Sequence, residues 1–164
     1  MERSGQLNLS PSFQRRAVWK EPAKSYFIDT IVRGLPTPII FLRQITDMKT
    51  FQTVREVVDG QQRIRTIISY IDSNALLDYD DERDDFTVKR AHSIELAGKR
   101  FSNLDDRSKK LILSYQFSTH ILPNDTSDAQ VLDIFRRMNA TGTRLNKQEL
   151  RNAELFGELV QSVY

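Results

Sequence analysis

The chain has 164 residues, enough for one domain with a real core and too few for two ordinary ones. A hydrophobic share of 39% beside 28% charged residues lies outside the disordered regime, and the absence of cysteine excludes disulfides, thiolate catalysis and cysteine-ligated zinc. The net charge of +2 decides nothing as a total, but residues 1–65 hold 11 Lys and Arg against 6 Asp and Glu while residues 66–164 hold 13 against 16, so anion-binding chemistry is to be sought first in the earlier part.

The N-terminus lacks the basic-then-apolar pattern of a leader, and no apolar run approaches the roughly 18 residues of a membrane span; a cytoplasmic protein without a membrane partner is expected. An extended or irregular stretch leads to Pro11 and through Phe13 to Trp19. Pro22 suits a first helical turn, and Tyr26, Phe27, Ile28, Ile31 and Val32 recur at near-helical spacing up to Gly34, which predicts a helix over 22–33. The apolar run 39–42 and the β-branched run 54–58 read as strands that pair in a hairpin. Ile64, Ile67, Ile68 and Ile71 then form the stripe of an amphipathic helix from Gln61 onward, so a strand gives way to a helix across Asp59 and Gly60. Residues 78–85, with six acids and one base, predict a solvated loop; the turn glycine and closing Glu of a calcium loop are missing. A strand is expected over 86–94, a turn at Gly98, and helices over 105–115 and 129–138. Asn146 and Glu149 make a capping-box start, with Leu145 and Leu150 at the staple positions, for a last helix that reaches Tyr164 without a stop signal, from which a longer natural chain is expected.

Three segments carry candidate chemistry. Asp59-Gly60-Gln61-Gln62-Arg63 puts a glycine, two amides and a guanidinium at a strand-to-helix turn, where backbone N–H groups can receive an anion, Arg63 can add a forked contact and Asp59 can hold a water or Mg²⁺. The competing reading is structural, with Asp59 capping its helix and Arg63 paired to a surface carboxylate. Gln14, Arg15 and Arg16, between Phe13 and Trp19, could hold phosphate and stack on a base, or merely decorate a basic surface. Phe135 to Asn146, with Asn139, Thr141 and Gly142, is either a ligand-facing turn or a helix–loop–helix corner. His92 and His120 have no ligand spacing and read as ordinary strand or core-edge residues. P-loop and nucleophile-elbow motifs are absent from the sequence.

Taken in order, Pro11 to Trp19, Ile31 to Ile39, Val57 to Arg63, Phe135 to Asn139 with Thr141 and Gly142, and Leu145 to Asn152 resemble the N-terminal domain of GmrSD-type restriction endonucleases over roughly residues 6–156. Arg65 departs from the family pattern, which usually has a small polar residue there. The resemblance implies a single α+β domain over 1–164 with a ParB/sulfiredoxin-like fold, a small mixed sheet packed against several helices. It further implies a nucleotide-binding, NTP-hydrolysing regulatory domain in bacterial defence against modified or foreign DNA, partnered by an HNH-type nuclease domain or subunit that this chain lacks, so cleavage by the chain itself is not expected. By the same resemblance Asp59, Gln61, Gln62 and Arg63 are the catalytic candidates, Gln14, Arg15, Arg16, Gly60 and Asn139 hold nucleotide and phosphate, and Asp59 meets Mg²⁺. The alternative is a DNA-backbone-binding module without hydrolytic activity.

Overall fold

β-branched and apolar residues on either side of the segment 47–52 build the centre of the sheet. In the computed structural model, which describes residues 7–9, 19–46, 48–49 and 51–137, β2 (Ile40–Thr46) and β3 (Thr53–Asp59) pair antiparallel as the expected hairpin. Both strands outrun the apolar stretches that announced them, because the ladder continues through polar residues such as Gln44 and Arg55. The register slips between Phe41 and Leu42, so that Asp59 and Val57 are partnered in succession and Val58 is left over. That bulge bends the strand just before Asp59 and Gly60. β1 (Leu7–Asn8) runs parallel to β3 on one side, and β4 (Thr119–Leu122) runs parallel to β2 on the other, giving the order β1-β3-β2-β4.

Two apolar clusters flank α2 (Gln61–Ile71). One joins Phe27, Ile28 and Ile31 of α1 (Glu21–Val32) to Ile67 and Tyr70 of α2, to Phe86, Val88, Leu96 and Leu104 of the following irregular stretch, and to Ile112 of α4 (Asp106–Leu113). The other joins Leu9, just after β1, and Ile40, Leu42 and Val57 of the sheet to Leu76, with Ile64 packed against it. Ile68 touches both clusters. Packed on two sides, α2 buries more than one stripe: Arg65 and Thr66 are as buried as Ile67. The α+β expectation holds, and α1, α2 and α4 fall within a few residues of their predicted positions.

Two expectations are overturned. The acidic run is not a solvated loop throughout: Asp81–Asp84 forms a single helical turn, α3, capped by the Asp80 carboxylate, and Asp84 is 2% exposed. The stretch 86–94 is not a strand. Its backbone groups find other partners, with Lys89 N–H donating to Ser25 Oγ at 2.7 Å and Lys89 C=O accepting from His92 and Ser93 N–H, so the only ladder contact there is the isolated bridge between Val88 and Ala97.

The chain divides into two compact units, residues 1–125 and 126–164. In the second, residues 128–137 are helical. The helix opens on a reciprocal cap, in which Ser127 N–H donates to Gln130 Oε1 at 2.8 Å and Gln130 N–H to Ser127 Oγ at 3.3 Å. Among the described residues no helix is long and apolar enough to cross a membrane.

Candidate functional site

The turn from β3 to α2 depends on a residue without a side chain. Gly60 has φ +101° and is the N-cap of α2, a backbone conformation that L-residues with a Cβ rarely adopt. A Cβ there would lie 2.9 Å from Ile40 Cγ1 and 3.0 Å from Arg63 Nη2, so a buried isoleucine and a guanidinium occupy the room a methyl group would need. Among the described residues no side chain caps the first turn of α2; Asp59 therefore does not play the capping role open to it.

Its carboxylate is used otherwise. Arg63 Nη2 donates to Asp59 Oδ2 at 2.8 Å and to the carbonyl of Ile39 at 3.2 Å, stitching the start of α2 to the residue before β2. The Arg63 side chain is 11% exposed, and its Nε–H is buried with no hydrogen-bond partner among the described residues. Gln61 turns back, donating from Nε2 to the Val57 carbonyl at 3.3 Å. Gln62 reaches across 43 positions, its Oε1 accepting the backbone N–H of Trp19 at 3.0 Å. The five residues singled out in the sequence are thus together, and the end of the Phe13–Trp19 segment is joined to them. Gln14, Arg15, Arg16 and Asn139 lie outside the described residues.

One residue that pattern reading passed over governs how α2 sits. Arg65 Nε and Nη2 grip the two oxygens of Asp84, each at 2.7 Å, while Nη1 takes Asp78 Oδ1 at 2.8 Å and Nη2 also meets the Asp78 carbonyl at 3.0 Å. Arg83 adds a second guanidinium to Asp84 at 2.9 Å, and Asp80 N–H a further bond at 3.0 Å. Burial alone would push the Asp84 carboxyl up, but these donors outweigh it and hold it at about 2. Burial likewise pulls the Arg65 guanidinium down, and the bonds to Asp84 and Asp78 more than reverse that. Lys24, also buried, donates to the Arg83 carbonyl, and burial lowers its affinity for a proton against the pull of Asp84. The sequence holds a partial signal, a charged residue within an amphipathic helix, but its carboxylate partners lie 13 and 19 positions further on. His92, for its part, sits with Nδ1 2.7 Å from the buried Ser25 Oγ, and His120 lies on β4 with its ring 5.5 Å from that of Phe41.

A cavity of about 460 Å³ lies between the end of α1 and the end of α4, lined by Ile31, Leu35, Thr37, Leu111 and Tyr115 among others. None of its walls comes from the Asp59–Arg63 turn, and its residues offer no fixed charge. The turn itself is only partly open to solvent, with Gly60 buried and Asp59, Gln61, Gln62 and Arg63 half-buried.

Comparison with known families decides what this arrangement belongs to. The family described as the GmrSD restriction endonuclease, N-terminal domain, matches residues 2–156. The chain belongs to that family. GmrSD N-terminal domains are parts of a restriction system, and the match takes in the Phe13–Trp19 segment, the Asp59–Arg63 turn and Asn139 alike. No curated protein and no solved structure gives a significant match.

Proposed function

We propose that this domain binds a nucleoside triphosphate at the start of α2 and hydrolyses it, as the regulatory part of a DNA-directed restriction system whose cutting is done by an HNH-type nuclease domain or subunit. The observation that carries this reading is the Arg63 Nε–H, buried and without an acceptor among the described residues, beside Gly60. A buried donor left unmade costs roughly 1–3 kcal/mol, and an anionic oxygen seated at the turn is the acceptor that removes the cost. The uncapped first turn of α2 adds N–H groups with partial positive charge at the same place.

Phosphoryl transfer asks a protein mainly for positioning and charge neutralisation. The Gly60 turn cradles phosphates, Arg63 together with Arg15 neutralises developing charge, and Asp59 orients the attacking water. Among the described residues no group of three metal-ligating side chains forms, so Mg²⁺ would arrive with its phosphates and take at most one or two ligands, Asp59 first, from the protein. Phosphate release measured with each of the four NTPs and Mg²⁺, with and without DNA, is expected to reveal turnover of at least one. The Arg63→Met chain is expected to turn over about 100-fold more slowly. A folded wild-type chain that releases phosphate from none of the four overturns the reading.

A further inference from the structure

The cavity of about 460 Å³ is joined to the Asp59–Arg63 turn by the short segment from Leu35 to Ile40. At one end of it Leu35 and Thr37 line the cavity, where the Tyr115 hydroxyl donates to the Leu35 carbonyl at 2.6 Å and lies 3.3 Å from Thr37 Oγ1. At the other end the Ile39 carbonyl accepts from Arg63 Nη2 at 3.2 Å, and Ile40 Cγ1 fills the space over Gly60. Ile40 N–H donates at 2.9 Å to the carbonyl of Ser118, a further wall of the cavity. Pro36 and Pro38 each fix a backbone angle between the two ends. Covalent geometry then limits the Thr37 Cα to about 13 Å from the Arg63 guanidinium, a span that the ribose and phosphates of one nucleotide bridge.

The lining is unlike the turn in charge. None of the described residues around the cavity is ionic, and α1 and α4 both end at it, with Gly34 and Ser114 just past their last turns. Helix C-termini present carbonyl oxygens and partial negative charge, which repel phosphate and accept N–H donors. Ile31 and Leu111 supply apolar surface for the faces of a flat ring, while Thr37, Ser114 and Ser118 supply hydroxyls for its edge. The volume of about 460 Å³ falls in the range of small-ligand sites, roughly 300–1,000 Å³. We propose that this cavity takes the uncharged heterocyclic base of the nucleotide whose phosphates meet the turn, with the Leu35–Ile40 segment as the wall common to both halves. The proposal rests on the phosphate-binding reading for the phosphate half; the base half stands on the cavity itself.

Three kinds of probe, each added with Mg²⁺ to the full chain, separate the halves. The four nucleosides carry a base without phosphate, inorganic triphosphate carries phosphate without a base, and the NTPs carry both. The best-bound NTP is expected to bind about 10-fold more tightly than inorganic triphosphate. Ser114→Leu adds bulk to the cavity from an exposed position. It is expected to weaken that NTP about 10-fold and to leave inorganic triphosphate within about 2-fold. Leu111→Trp fills the same space from one turn earlier and is expected to act alike, with the melting temperature of each variant reporting that it is folded. Equal affinity for NTP and inorganic triphosphate, or equal losses of the two in a folded variant, overturns the base site and leaves the phosphate reading standing. A wild-type chain that binds neither ends the phosphate reading, and the nucleosides then decide the cavity by themselves. Amide NMR shifts at Thr37, Tyr115 and Ser118 on adding a nucleoside support it, and no shift with any of the four overturns it.

Discussion

Gly60 is the residue on which the geometry of the turn depends most directly. Alanine there meets two separate obstacles. Its φ of +101° lies in the left-handed range, which costs a residue with a Cβ about 1–2 kcal/mol. The new methyl carbon would also stand 2.9 Å from Ile40 Cγ1, and Ile40, itself 2% exposed, has little room to retreat. Gly60→Ala is therefore expected to cost about 2 kcal/mol or more and to lower the melting temperature by about 4–8 °C, measured by calorimetry. A change within 1 °C, roughly the size of a neutral surface substitution, means that the backbone at residue 60 relaxes freely and that the turn is not fixed by this glycine. Arg63 is the companion case: its guanidinium occupies the other side of the same space, so that an enlarged residue 60 displaces both the ion pair with Asp59 and the bond to Ile39.

At the scale of elements, α2 is held by the acidic segment as well as by apolar contact. The carboxyl of Asp84 is held at about 2 in the folded chain, below its unfolded value of about 3.9. A group with a depressed folded value contributes stability that is complete above the unfolded value and is lost as pH falls through the folded one. The urea midpoint is accordingly expected to fall between about pH 4 and pH 2, and Asp84→Asn is expected to be less stable at pH 7 yet flatter across that window. An Asp84→Asn chain whose midpoint falls as steeply as wild type would assign the acid sensitivity to other carboxylates. The same segment marks the limit of what pattern alone makes legible. Period and turn residues suffice for α1, the hairpin and α2, since those elements bury apolar faces. Six acids in eight residues read as solvated because composition cannot reveal that one of them, Asp84, meets a buried arginine from another element. The stretch 86–94 has strand-like residues but spends its N–H groups on Ser25 and on local turns. β4 has four residues, three of them exposed, and exists only because β2 offers an edge. The Asp59–Arg63 cluster was legible as a contiguous motif, whereas the Gln62–Trp19 bond joins residues 43 positions apart and needed the fold.

For the whole molecule, the excess of cations in the first 65 residues is the charge on which the proposed phosphate binding would draw. Of the 11 Lys and Arg there, Arg33 pairs with Asp29, Arg43 with Glu56, Arg63 with Asp59 and Arg65 with Asp78 and Asp84, while Lys24 is buried. Four of the eleven, Lys24, Arg43, Arg63 and Arg65, are thus engaged inside the protein, whereas Arg33 pairs at the surface. This weighs against a module that works only by gripping the DNA backbone and in favour of a compact site with few, well-placed charges. Counterion release turns the difference into a number, because each phosphate neutralised contributes about 0.9 to the slope of log affinity against log salt. If all eleven cations reached duplex DNA the slope would approach about −10, whereas with the engaged four excluded this part of the chain can contribute no more than about −6. A fluorescence titration of a labelled duplex from low to moderate salt is expected to give a slope of about −6 or shallower. Phosphate release from NTP is expected to persist at salt concentrations that abolish DNA binding, since a partly buried ion pair such as Arg63 with Asp59 is screened far less than exposed charge. A slope near −10 would mean that the internal ion pairs open onto DNA. That result would return the excess charge to the DNA backbone and leave the turn at Gly60 without its distinct role.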